Sequence, residues 1–127
     1  MSKIVQAVNV MISNSSKISD VYRKENEFFF LYDGKYKWSI WQNPGEETYI
    51  LTYYPSDLFD RPIGELVKMD ANFWRMLDGS YVPYDTRELK TKEAVESFSE
   101  LYLIVKEKQL GADKALQDII DGDLEPF

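Results

Sequence analysis

The stretch richest in recognition chemistry runs from Glu27 to Gln42, where Phe28, Phe30 and Tyr32 lead into Lys35, Lys37 and Trp41. Flat π faces beside ammonium groups are what stacking on exposed bases, or anchoring in a protein interface, requires. Nucleic acid is the poorer fit of the two. The chain carries 22 Asp and Glu against 15 Lys and Arg, a formal net charge of -7, whereas a phosphate backbone is bound through a basic field. An aromatic protein-contact patch therefore competes with a plainer reading, in which the rings pack beneath a helix and the lysine stems snorkel out over them.

A second aromatic group follows, with Asn72, Trp74 and Arg75 beside Tyr81 and Tyr84, types that suit a polar-aromatic pocket for a small ligand. Packing at the rim of a core explains them equally well. The carboxylates Asp57, Asp60, Glu65 and Asp70 have the chemistry of a magnesium site or an acid-base pair. Their spacing brings no two of them to one metal, and Asp60 is more simply a helix cap with the others on a solvated surface. The acidic end, Asp123-Leu124-Glu125-Pro126-Phe127, reads as a frayed terminus before it reads as a docking segment.

Missing residue types exclude more. With no Cys there is no disulfide frame, thiolate nucleophile or zinc ribbon, and with no His there is no Ser-His-Asp relay and no imidazole ligand. No GxGxxG, Walker A, HExxH, GxSxG or EF-hand pattern occurs, so neither a cofactor nor a metal is expected. No run of about 18 apolar residues offers a membrane span, and the expected setting is soluble and cytoplasmic.

At 127 residues the natural count is one domain, 1–127, ending in a short acidic tail at 122–127. Ile4, Val5, Val8, Met11 and Ile12 form one apolar stripe and predict an amphipathic helix. Asn14-Ser15-Ser16 weakens it, and Ile18, Val21 and Tyr22 are placed to resume the stripe for a turn or two. Asp33-Gly34 predicts a hairpin on a two-residue turn with positive φ at both positions. That register sets Tyr32 against Lys35, Phe30 against Lys37 and Phe28 against Ser39 on one face, with Phe29 against Trp38 and Leu31 against Tyr36 on the other. Thr48 to Tyr54 adds a third strand.

Between 55 and 90, Asp60-Arg61-Pro62 is a helix start and 71–77 reads as a short helix, with a hairpin through Asp78-Gly79 as the alternative. Thr91 caps a long helix that ends near Gln109 with Gly111 as its left-handed cap. A short helix from Asp113, bearing Leu116, Ile119 and Ile120, stops at Gly122 and is expected to pack antiparallel on it.

The expected fold is α+β: an N-terminal helix, a three-stranded antiparallel meander, and C-terminal helices packed on the sheet, covering one face or divided between both. The expected function is that of a non-enzymatic acidic interaction module whose partner is a basic protein, with no part for nucleic acid or membrane. A homodimer is favoured if an aromatic face is left uncovered. In size and charge alone, without a shared motif, the chain resembles inhibitors of basic enzymes such as bacterial immunity proteins that neutralise nuclease toxins. Two alternatives stand beside this, a small-molecule domain with an aromatic pocket of roughly 300 Å³ or more, and a carboxylate-dependent metal hydrolase.

Overall fold

The computed structural model describes residues 2–56, 59–77 and 79–123, so Asp57, Asp78 and the tail from 124 lie outside the described residues. Helix α1 (Lys3–Ser13) starts where Ser2 accepts a hydrogen bond from the Val5 amide and buries the expected stripe of Ile4, Val5, Val8 and Met11. It stops at Asn14, whose backbone and side-chain amides both donate to the Val10 carbonyl, at 3.0 and 2.9 Å. A side chain that takes over the helix's own acceptor ends the helix.

A 3-10 turn at Ser15–Lys17 leads into β1 (Ile18–Lys24), β2 (Glu27–Tyr32), β3 (Tyr36–Gln42) and β4 (Tyr49–Tyr54). After α2 (Ile63–Leu66) and α3 (Ala71–Met76), β5 (Val82–Asp85) completes a five-stranded antiparallel meander in sequence order. Three strands become five through two corrections. Ile18, Val21 and Tyr22 do not continue a helix: Ile18 pairs with Tyr32 and Tyr22 with Phe29, and a bulge at Asp20, at φ 51, breaks the alternation that would have marked a strand. Val82 to Asp85 pairs with β4 and closes the other side.

The hairpin register also differs. Asp33 and Gly34 take the expected left-handed φ of 57 and 71, but pairing resumes at Tyr36, so the connection holds three residues. Phe28 then opposes Ile40, Phe30 opposes Trp38 and Tyr32 opposes Tyr36, while Phe29 opposes Ser39 and Leu31 opposes Lys37. A slip of one residue exchanges the two faces of β3 relative to β2.

Helices lie on both sides. One face of the sheet, with Phe28, Phe30, Ile40, Tyr49 and Leu51, packs on α1 and on α5 (Lys92–Leu110), which buries Ala94, Phe98, Leu101, Tyr102 and Val105. Thr91 caps α5 through the Ala94 amide at 3.1 Å and Gly111 ends it at φ 67, as expected. Short α4 (Thr86–Leu89) is tied to β4 by the Tyr49 amide, which donates to Thr86 Oγ1 at 3.0 Å. Phe29, Tyr54, Phe59, Ile63 and Leu66 form a second core on the opposite face, beneath α2 and α3.

The expected antiparallel packing of the last helix is not seen. In α6 (Ala112–Asp123), Leu116, Ile119 and Ile120 are 60%, 65% and 55% exposed, because the inward stripe of α5 is already filled by α1 and the sheet. Among the described residues both sheet faces carry packed helices, so the uncovered aromatic face that would favour a homodimer is not seen there.

Candidate functional site

At the β1–β2 turn, the second face opens into a recess of about 320 Å³ lined by Lys24, Glu27, Trp41, Tyr54, Trp74 and Tyr81 among others. Strand alternation brings Glu27 and Phe29 to this face, and cross-strand pairing sets Trp41 opposite Glu27, Ser39 opposite Phe29 and Thr52 opposite Ser39. The segment between β4 and β5 supplies the wall. Asp70 caps α3 through the Phe73 amide at 2.9 Å, which orients Trp74 against Phe29, Tyr54, Phe59 and Tyr81.

Its polar floor is a three-member chain. Ser39 Oγ donates to Glu27 Oε2 at 2.6 Å and lies 2.7 Å from the Tyr54 hydroxyl. Serine has one proton, and an ionised carboxylate only accepts, so the chain runs Tyr54 to Ser39 to Glu27. Burial pushes the Glu27 carboxyl above its ordinary value, against the opposing effects of the Ser39 hydrogen bond and the Lys24 charge. Burial also pushes the Tyr54 hydroxyl far up, with the negative Glu27 adding to it, so Tyr54 remains a neutral donor.

Lys24 does not neutralise Glu27 at contact distance. Its ammonium donates instead to the Met69 carbonyl at 3.1 Å, fastening β1 to the loop before α3. The ion pairs among the described residues are Arg61–Glu65, Arg87–Asp85 and Lys92–Glu96, and none involves Glu27. The recess thus holds a largely buried carboxylate with aromatic walls and one hydroxyl partner.

The residues singled out by type are redistributed. Phe28 and Phe30, 2% and 0% exposed, are core beneath α5 and α1, so they are not free to touch a partner. Phe28 meets the Tyr102 ring edge-on at 5.5 Å. Tyr32 is half-buried against the same core, and Lys35 is exposed, with its ammonium 5.0 Å from the Tyr36 ring centre. Lys37 sits on the opposite face from Phe28 and Phe30 and donates to the Phe59 carbonyl. Burial pushes the Lys37 ammonium down from its ordinary value, opposed by the Asp60 charge.

Trp41, Trp74 and Tyr81 converge on the recess. Arg75 is exposed at the end of α3, and Tyr84 lies on the other face near Trp38 and Leu89. Glu27, Ser39, Thr52 and Tyr54 were not among the residues selected by type. Their signal was an acid and three hydroxyls at inward strand positions, readable only in the correct register.

Of the carboxylates between β4 and β5, the described Asp60, Glu65 and Asp70 take separate roles. Asp60 does not cap α2, where Pro62 holds the N-cap position; Glu65 is 4.0 Å from Arg61, and Asp70 caps α3. Among the described residues, no group of three or more acidic side chains is placed to hold a metal ion. No helix among them is long and apolar enough to cross a membrane. Comparison with known proteins found no matching family model, no similar curated protein and no similar solved structure.

Proposed function

We propose that this chain is a non-enzymatic binding module, acting in the cytoplasm on a basic protein partner in the manner of an inhibitor. The formal charge of -7 speeds encounter with a basic surface and repels phosphate backbones and anionic membranes. Long-range charge steers but does not hold. The observation that carries the reading is the recess, where Glu27 stands among Trp41, Trp74 and Tyr81 with no cation among the described residues at ion-pair distance. Aromatic rings around a desolvated polar group are the usual anchor of a protein interface.

A pull-down of the tagged protein from its source lysate, at low and at moderate salt, tests this reading. The expected result is a basic protein retained at low salt, released as salt rises, and lost on Trp41→Ala in a variant that keeps its circular dichroism. No protein retained at either salt, or retention indifferent to Trp41, overturns it.

A small-molecule reading is favoured by one observation, the open recess of about 320 Å³ with aromatic walls, which suits an amino-acid-sized ligand. Its mark is a metabolite that raises the melting temperature with no partner protein present.

A further inference from the structure

Buried charges in proteins are paired, because an isolated carboxylate in a poorly solvating site costs several kcal/mol or takes up a proton. Glu27 is the exception here. Ser39 engages only Oε2, the Lys24 ammonium is committed to Met69, and no cation among the described residues stands within ion-pair distance. Trp41 is a second exception. Phe29, Tyr54, Trp74 and Tyr81 pack ring against ring, whereas Trp41 makes no ring contact among the described residues although it lines the same recess. These two are cross-strand neighbours.

We propose that Glu27 and Trp41 form a guanidinium site that takes an arginine side chain of the basic partner, stacked on the indole and paired with the carboxylate. This rests on the binding-module reading and names the group recognised. A planar guanidinium suits the pair better than an ammonium does, since it stacks on an aromatic face while its fork of N–H donors meets a carboxylate. Trp74 and Tyr81 enclose it on the side of α3, and the Tyr54 hydroxyl, donating to Ser39, keeps the second-layer hydrogen bond on Glu27 in place. The recess, at about 320 Å³, holds one such side chain rather than a segment of chain. Glu25 at the rim adds negative charge, and Lys24, the one cation lining the recess, is turned to the Met69 carbonyl.

N-acetyl-arginine amide titrated into the full chain, followed through the three indole N–H signals by NMR, is the test. The expected result is a saturable shift of the Trp41 and Trp74 signals while Trp38, on the opposite face, stays still. The neutral isostere N-acetyl-citrulline amide should bind about tenfold more weakly or worse, as should Glu27→Gln with arginine amide. Glu27→Gln keeps a hydrogen-bonding group of the same shape, and Trp41→Leu is the second variant should it fail to fold; either is accepted only with unchanged circular dichroism.

Equal binding of arginine and citrulline amides, a Trp38 shift as large as that of Trp41, or full affinity in both variants overturns the site. Tighter binding of free arginine than of the capped form assigns the recess to a metabolite and overturns the partner side chain. A basic protein retained in the pull-down while arginine amide leaves the indoles unmoved defeats this inference alone, whereas a failed pull-down defeats the reading beneath it.

Discussion

On the side of α1 and α5, the sheet presents Phe28, Phe30, Ile40 and Leu51, all 2% exposed or less, to a helix surface of Val8, Phe98, Leu101 and Val105. One residue along the same strands, the other side presents Glu27, Ser39 and Thr52 between Phe29 and Tyr54. Such close-packed apolar contact yields stability and nothing to recognise. Polar groups in an aromatic wall stabilise less, because each must be desolvated and then satisfied, and that face gains directional chemistry in exchange. On the proposed reading, two faces of one sheet divide the work between holding the fold and presenting a site.

The largest effect expected from breaking this division lies on the packed side. Phe98 is fully buried, and Phe98→Ala should cost about 3–5 kcal/mol in urea unfolding by leaving a cavity beneath the sheet. A loss no larger than that of an exposed position would mean that this face is not the stabilising one. A smaller effect is expected from Ser39→Ala, which removes the hydrogen bonds to Glu27 and to the Tyr54 hydroxyl and leaves the latter only its Thr52 partner, at a cost of about 1–3 kcal/mol. Adding Tyr54→Phe should cost less in the Ser39→Ala background than in the wild type, since the two share one network; strict additivity would show the chain to be inert. The smallest lies on neither face: Lys92→Ala breaks an exposed pair with Glu96 at 3.8 Å and should change stability by less than about 0.5 kcal/mol in the same assay. A loss comparable to Ser39→Ala there would place as much energy on the surface as in the recess.

The packed face was the more legible of the two. The three- and four-residue spacing of Val5, Val8 and Met11, and of Ala94, Phe98, Leu101 and Val105, has no competing period, and Ser2 and Thr91 cap as their types suggest. Asp33-Gly34 marked a hairpin, but a positive-φ pair begins a three-residue connection as readily as it makes a two-residue one, so the faces were exchanged. Ile18, Val21 and Tyr22 fit a helical spacing because the bulge at Asp20 shifts the strand's alternation. Trp41, Trp74 and Tyr81 stood out by type but in separate groups, 33 residues apart between the first two. The segment that joins them, from Phe59 to Tyr81, folds over the sheet through long-range ring contacts that local patterning does not encode. Glu27 carries no signal by type, because an acid at a strand's start is ordinarily on the solvent side.

Glu27 is where the two faces can be compared most directly, because burial holds its carboxyl above the ordinary value of 4.5. The folded protein therefore takes up this proton before the unfolded chain does as pH falls. Above the raised value the ionised carboxylate lowers stability, and that cost is relieved as pH falls through the raised value toward the unfolded one. The measurement that tests the account is urea unfolding of wild type and Glu27→Gln, side by side, at about pH 8 and about pH 5. The account predicts that Glu27→Gln is the more stable at the higher pH, that the gain shrinks at the lower pH, and that the variant no longer shifts with arginine amide. A variant less stable than wild type at both pH values would make Glu27 a structural residue like those beneath α5, and would contradict the division of the sheet into a holding face and a binding face.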